Sequence, residues 1–255
     1  MRKCLAPFFI GHEEPGLHRG IPTFDVVLSQ NLVEHDSGSK TAINRINRAI
    51  RDFVAETVVT GEKPLVLCGD CLSAIGCLAG LKKCGIQPYL MWFDAHGDFH
   101  TFETTISTHL GGMPLAMITG RGDNCLLSAV GLAPLPDEKV YYIGGRNLEP
   151  REKEALEASG IRRVERVTEI LEFLHPLSPL WVHFDTDYIN PNDAPAMRYP
   201  ALGGISAQEA KSDLNALSKK ANILGLSISS WAPSLDVEAR TATTCWDTIS
   251  DLASA

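Results

Sequence analysis

The chain lacks any apolar segment long enough to cross a bilayer, and it carries little positive charge. A transmembrane helix needs about 20 consecutive apolar residues, and no stretch of the 255-residue sequence approaches that length. Lys and Arg total 23 against 31 Asp and Glu, for a formal net charge of -8. No basic stripe is present to neutralise phosphates. We therefore expect neither a membrane nor a nucleic acid as a partner.

Nucleotide-binding loops and a disulfide framework are also missing. No Gly-x-Gly-x-x-Gly follows a predicted strand, and no Gly-x-x-x-x-Gly-Lys-Ser/Thr occurs. The seven cysteines are an odd number, which indicates thiols in a reducing environment and predicts a cytoplasmic protein. Cys68 and Cys71 form one Cys-x-x-Cys pair, so a thiol oxidoreductase built on it remains an alternative.

The composition is that of a globular α/β protein. Hydrophobic residues make up 44% of the chain, and no change in composition marks a linker, so we expect one domain over 1–255. Strand-like runs alternate with helical spacing, which is typical of a parallel sheet covered by helices on both faces. The predicted strands are 4–10, 65–68, 87–93, 140–143, 161–164, 180–184 and 223–228; the predicted helices are 43–59, 73–83, 151–159, 167–174, 207–220 and 239–252, with another beginning at 111.

Two of the predicted strands run directly into acidic and histidine residues spaced two apart. These are Asp94, His96 and Asp98 after one strand, and Asp185 and Asp187 after the other. In an extended backbone, side chains two positions apart point to the same side. The carboxyl ends of parallel strands meet at one edge of a sheet, so we expect these groups to converge.

Such convergence favours a bound cation. Two carboxylates about 4 Å apart repel each other by roughly 4 kcal/mol at an effective dielectric constant of 20. A divalent cation removes this repulsion, and the thiol of Cys71, which follows a third strand, offers a further ligand. The alternative is that each acid caps a helix or stabilises a turn. The repeated spacing favours the metal site.

These motifs resemble those of the ureohydrolase family, which includes arginase, agmatinase and formiminoglutamase. The resemblance rests on Gly69-Asp70-Cys71, on Asp94-Ala95-His96-Gly97-Asp98, on Phe184-Asp185-Thr186-Asp187 with Pro191, Ala194 and Pro195, and on Gly203-Gly204-Ile205-Ser206 with Glu209. It implies a three-layer α/β/α fold with a central parallel sheet, and two manganese ions that activate water to attack a guanidine-type carbon. The implied metal ligands are Asp94 and Asp185 between the ions, His96 and Asp187 on one ion, and Cys71 and Asp98 on the other.

Three positions depart from the family pattern. Cys71 stands where the family has a histidine ligand, so other divalent metals could enter that site. Gly111 takes the place of a proton-transferring loop histidine, and Ser230 that of a guanidinium-binding glutamate. A less basic substrate tolerates both losses. The combination resembles family members that hydrolyse Nω-hydroxy-L-arginine to hydroxyurea and L-ornithine in antibiotic biosynthesis.

The resemblance also implies a guanidino substrate with an amino-acid end. Ser107 and His109 match family positions that contact the carboxylate of such a substrate. Glu149 falls near the family position of an aspartate that lies on the α-amino side of the substrate. Ser230 completes the predicted substrate contacts. Asp98 is expected to accept a hydrogen bond from the attacking group, and His109 or His100 to transfer protons. The alternatives are hydrolysis of arginine, agmatine, a guanidino acid or formiminoglutamate, or a metal-binding homologue without activity. The oligomeric state stays open.

Overall fold

The structure, a computed structural model, describes residues 1–21, 23–176, 178–229 and 231–254. Its strands are β1 Arg2–Ala6, β2 Phe8–Phe9, β3 His12–Glu13, β4 Val26–Val27, β5 Pro64–Cys68, β6 Tyr89–His96, β7 Val140–Asn147, β8 Arg162–Val164, β9 Pro179–Asp185 and β10 Asn222–Ser229. Eight of them form one sheet in the order β4-β1-β5-β10-β9-β6-β7-β8. Every pairing in this sheet is parallel.

Helices cover both faces of the sheet. They are α1 Lys40–Val59, α2 Ser73–Lys83, α3 Pro114–Ile118, α4 Cys125–Val130, α5 Pro150–Glu157, α6 Ala207–Ser218 and α7 Arg240–Ser254. Helices α1, α2, α3, α4 and α5 contribute to an apolar cluster on one face of the sheet. Helices α6 and α7 contribute to a second cluster on the other face. This arrangement confirms the predicted three-layer α/β/α fold. None of the seven cysteines forms a disulfide bond.

Several element boundaries differ from the sequence prediction. The segment predicted as a helix over 167–174 forms only a 3-10 turn at Val167–Glu169. The strand predicted over 4–10 ends at Ala6, where Pro7 cannot donate to the ladder. Strand β6 extends to His96. The six-residue α4 was not predicted, since so short a helix shows little periodicity.

The strand order brings the predicted site residues to one edge of the sheet. Strands β5, β10, β9 and β6 are consecutive neighbours, so their carboxyl ends lie side by side. Asp185, at the end of β9, is in register with Ser229 at the end of β10. Across β6 and β7, Asp94 is in register with Gly144. In the described part of the chain, no helix combines the length and the apolar composition needed to cross a membrane.

Candidate active site

One cavity of about 730 Å³ opens at the carboxyl ends of these central strands. All six residues predicted as metal ligands line it: Cys71, Asp94, His96, Asp98, Asp185 and Asp187. All except His96 are buried. The sheet topology therefore brings together groups at or just after the ends of three strands, β5, β6 and β9.

Five of the six predicted ligands form two groups, each compact enough to hold one metal ion, and Asp98 belongs to neither group. Cys71, Asp94 and Asp185 make up the first, and Asp94, His96 and Asp187 make up the second. Within each group the atoms lie within 4.8 Å of one another. Asp94 belongs to both groups, so its carboxylate is suited to bridge two ions.

Hydrogen bonds fix the orientation of Asp94 and Asp187. Trp92 donates from Nε1 to Asp94 Oδ2 at 3.1 Å, and the His96 amide donates to Asp94 Oδ1 at 2.7 Å. The Ala95 amide donates to Asp187 Oδ1 at 3.0 Å, and His96 Nδ1 lies 2.7 Å from Asp187 Oδ2. Two neighbouring amides of β6 thus hold one carboxylate of β6 and one of the turn after β9.

The Cys71 side of the site is held by groups from β9 and β10. Cys71 Sγ donates to Asp185 Oδ2 at 2.9 Å and lies 3.2 Å from Ser229 Oγ. Ser229 Oγ is also 3.4 Å from His183 Nε2, and His183 Nδ1 is 2.8 Å from Ser227 Oγ. Burial lowers the pKa of His183 to about 3. His183 is therefore a neutral residue of the buried layer behind the cavity.

Asp98 adopts a backbone conformation that few residues tolerate. Its φ of 49° lies in the left-handed region, which costs a residue with a Cβ roughly 1–2 kcal/mol. The amides of Leu115 and Ala116, in the first turn of α3, both donate to the Asp98 carbonyl oxygen, at 3.0 and 3.1 Å. The side-chain atom Asp98 Oδ2 is buried without a hydrogen-bond partner in the described chain. A buried carboxylate oxygen left unpaired suits a cation ligand.

The electrostatics of the site also fit a cation. Burial, with the nearby carboxylates Asp98, Asp187 and Asp185, raises the pKa of Asp94 well above its ordinary value. Burial, followed by Asp185, does the same to the pKa of Asp98. Burial alone would lower the pKa of His96, but its bond to Asp187 and the surrounding carboxylates raise it to about 9. The carboxylate, imidazole and thiol donors fit divalent metal ions, and the mainly oxygen and nitrogen set suits manganese.

The predicted substrate-binding residues lie around the same cavity, with one exception. Ser107, His109 and Glu149 line it, and Ser107 and Glu149 are exposed at its mouth. Ser230 lies outside the described residues. His100, the other candidate for proton transfer, is buried, and its Nε2 is 3.2 Å from Glu149 Oε2.

The ring of His109 occupies the space beside Gly111. A Cβ atom added at Gly111 would lie 2.6 Å from His109 Nε2. This distance is shorter than a van der Waals contact, so the two atoms would clash. His109 packs edge-on against Tyr199, with ring centroids 5.2 Å apart. The position where the family pattern has a loop histidine therefore has no room for a side chain unless His109 moves.

Gly111→Ala is expected to displace the His109 ring from this position. Partial burial lowers the pKa of His109, so the displaced imidazole should titrate closer to its ordinary value of about 6.5. Titration of the His109 ring by NMR measures this change. Gly112→Ala is the matched control, because its added methyl would meet only His100 Cδ2, at 3.9 Å. An unchanged His109 pKa in Gly111→Ala would contradict the prediction.

Several residues of the cavity were not predicted. Glu152 is buried; its Oε1 accepts from the Phe99 amide at 3.0 Å and its Oε2 from the Glu149 amide at 3.3 Å. Outside the cavity, Arg146 donates to the carbonyl oxygens of Asp187 and Ala201, at 2.6 and 3.1 Å, and so holds the loop after β9. The signal for Glu152 was its i, i+3 spacing from Glu149 across a proline, which is typical of a helix start. Phe9, Asn147, Met197, Arg198 and Tyr199 complete this part of the cavity wall.

The Cys-x-x-Cys pair does not have the features of a redox site. Cys68 Sγ donates to the Ile228 carbonyl oxygen at 3.1 Å, whereas Cys71 Sγ donates to Asp185. Burial raises the pKa of both thiols well above the ordinary value. Thiol exchange requires a thiolate, so the structure does not support this alternative.

Comparison with known proteins gives a consistent result. A profile of the arginase family matches residues 13–254. An arginase of Bacillus subtilis (strain 168) is 30% identical over 243 residues, which cover 89% of this chain and 82% of the relative. An arginase of Bacillus caldovelox is 32% identical over 214 residues, which cover 79% and 72% of the two chains. A crystal structure of arginase from Bacillus subtilis superposes with a TM-score of 0.84 at 27% identity and covers 100% of this chain and 98% of that one.

Proposed function

This chain belongs to the arginase family, whose members are metal-dependent hydrolases of C–N bonds in linear amidines, and we propose that it hydrolyses Nω-hydroxy-L-arginine. The products are hydroxyurea and L-ornithine. In this reaction water adds its oxygen to the guanidine-type carbon, the bond from that carbon to the ornithine nitrogen breaks, and the leaving amine takes up a proton.

The metal centre of this reaction consists of two divalent ions, which we propose to be manganese. Cys71, Asp94, His96, Asp98, Asp185 and Asp187 would hold them. When bound, such ions would lower the pKa of a water molecule and would stabilise the negative charge that develops on the oxygen and nitrogen atoms attached to the attacked carbon. The sulfur of Cys71 makes its side of the site softer and leaves it open to other divalent metals.

The remaining steps are assigned to protein side chains. Asp98 accepts a hydrogen bond from the attacking group through Oδ2, which has no partner in the described chain. His109 carries a proton towards the leaving amine. Because burial lowers its pKa below 6.5, its ring is neutral at pH 7 and has both an acceptor and a donor nitrogen. Ser107, Glu149 and Ser230 are the proposed substrate contacts.

The choice of substrate rests on the observation that the acidic side chains lining the cavity already have other roles. Seven acids line the cavity: Asp70, Asp94, Asp98, Glu149, Glu152, Asp185 and Asp187. Four of them are proposed metal ligands. Asp70 accepts from the amides of Ile10 and Leu72, both oxygens of Glu152 accept from amides, and Glu149 is half-exposed at the mouth. No described carboxylate is left beside the metal ligands to pair with a guanidinium.

A neutral N-hydroxyguanidine does not need such a partner. A buried cation without its carboxylate is penalised by several kcal/mol, whereas an N-hydroxyguanidine is a weaker base and can bind uncharged. Gly111 supports the same choice, since the loss of a proton-transferring group ordinarily lowers a rate by about 10²–10⁴-fold. The second candidate is hydrolysis of L-arginine, which the similarity to arginases favours.

A substrate panel tests this assignment. The manganese-loaded protein is supplied with Nω-hydroxy-L-arginine, L-arginine, agmatine, a guanidino acid and formiminoglutamate, and the release of hydroxyurea, urea or formamide is measured. We expect kcat/KM for Nω-hydroxy-L-arginine to exceed that for L-arginine by at least about 10²-fold. Equal values would contradict the proposal, and bound metal without any turnover would indicate an inactive homologue.

A further inference from the structure

Arg198 is the only Arg or Lys among the described residues that line the cavity, in contrast to seven acids. It lies in the segment between β9 and α6. No sequence motif singled it out.

The Arg198 guanidinium is held in a defined position. Its Nη2 forms an ion pair with Glu14, whose side chain is only 10% exposed. The guanidinium carbon lies 4.3 Å from the centroid of the Phe9 ring, in a cation–π contact. Two contacts from different elements therefore fix the same planar group.

The backbone that carries Arg198 is also anchored. The Ala232 amide donates to the Ala196 carbonyl oxygen at 2.8 Å, and the Ala196 amide donates to Thr241 Oγ1 at 2.9 Å. Met197 forms a β-bridge with Trp231. The guanidinium is thus presented by a rigid segment, which reduces the entropy lost when a ligand binds.

Most hydrogen-bonding capacity of Arg198 is unused. A guanidinium has five N–H donors, and within the described part of the chain only the Nη2 group donates, to Glu14. The side chain is 34% exposed. The remaining N–H groups are available to a ligand in the cavity.

We propose that Arg198 binds the carboxylate of the substrate's amino-acid end and thereby selects amino acids over the corresponding amines. This inference rests on the proposed function for the kind of substrate. The three acids of the cavity that are not proposed metal ligands, Asp70, Glu149 and Glu152, disfavour an entering carboxylate. A fixed guanidinium offsets this with N–H donors that match carboxylate geometry. Glu149, half-exposed at the mouth, is suited to the ammonium of the same amino-acid end.

The test compares two ligands that differ only in the carboxylate. L-Ornithine and putrescine are titrated by calorimetry into the manganese-loaded wild-type protein, R198A and the control R48A, in which an exposed arginine outside the cavity is removed. We expect R198A to weaken L-ornithine roughly 10- to 100-fold and to leave putrescine unchanged. R48A should behave as the wild type does.

A second variant controls for a loss of folding in R198A. R198A leaves the carboxylate of Glu14 without its partner, so R198A/E14Q removes both charges and should show the same selective loss. An unchanged ratio of the two affinities, equal weakening of both ligands, or no binding of either ligand to the wild type would overturn the inference. Failure of the proposed function is recognised separately, because a protein that releases no hydroxyurea can still distinguish the two ligands through Arg198.

Discussion

Asp94→Asn is expected to lower kcat/KM by at least about 10³-fold and to reduce the bound metal to well below two ions per chain. The Asp94 carboxylate belongs to both groups of candidate ligands, and the amide that replaces it has the same shape but no negative charge. A metal ion contributes several kcal/mol of transition-state stabilisation, and each 1.36 kcal/mol corresponds to about tenfold in rate. Elemental analysis and the substrate assay measure the two effects.

Loss of folding can be separated from loss of metal in this variant. Asp94 is buried beside Asp98, Asp187 and Asp185, which together with burial raise its pKa. The substitution relieves repulsion, but the new amide NH₂ group would face either Trp92 Nε1 or the His96 amide, both of which donate to Asp94. Because an unsatisfied buried donor costs about 1–3 kcal/mol, we expect metal-free Asp94→Asn to unfold cooperatively and no more than about 12 °C below the metal-free wild type. Asp247→Asn is the control, because it makes the same change at an exposed residue. Full metal content in Asp94→Asn would refute the proposed bridging role.

Removal of the metal from the wild-type protein should abolish turnover and lower the melting temperature. A ligand that binds only the folded state stabilises it by about 2.7 kcal/mol per site at about 100 times its Kd. For a chain of this size, each kcal/mol shifts the melting temperature by about 2–4 °C. We therefore expect the chelated protein to melt at least about 5–11 °C lower than the protein saturated with manganese. Thermal unfolding followed by circular dichroism measures the difference.

Readdition of metal distinguishes the alternatives. The hydrolase should regain both activity and melting temperature with manganese. An inactive metal-binding homologue should regain only the melting temperature, and a thiol oxidoreductase built on Cys68 and Cys71 should be unaffected by chelation. An unchanged melting temperature at saturating manganese would contradict the assignment of the acidic cluster as a metal centre.

The metal-ligand candidates could be identified from the sequence because their pattern is local. Asp94 and His96 lie on β6 itself, and Asp185 ends β9, so the apolar run and the alternating polar residues are visible within about ten positions. The three-layer fold followed from the same kind of pattern. The helix predicted over 167–174 failed because Val167 and Ile170, three residues apart and buried, suit a single turn as well as a longer helix.

The substrate side of the cavity could not be predicted in the same way. Glu152 reaches the Phe99 amide across 53 positions, and Arg198 reaches Glu14 across 184. Arg198 lies in no periodic run, Glu152 lies in a predicted helix rich in charged residues, and a charged residue in either setting is usually a solvated surface group. The restriction on side chains at Gly111 likewise depends on the position of the His109 ring.

The amino-acid sequence by itself determined the alternation of strands and helices, the parallel sheet and the set of residues that converge at its edge. It could do so because the spacing of apolar residues, two in a strand and three or four in a helix, indicates which side of each element is buried. Only the tertiary structure decided that, among the described residues, Asp94 but not Asp185 belongs to both ligand groups, that Asp70 and Glu152 are occupied by backbone amides, and that Arg198 lines the same cavity. These features depend on distances between segments far apart in the chain, which are set by the packing of the sheet and its loops.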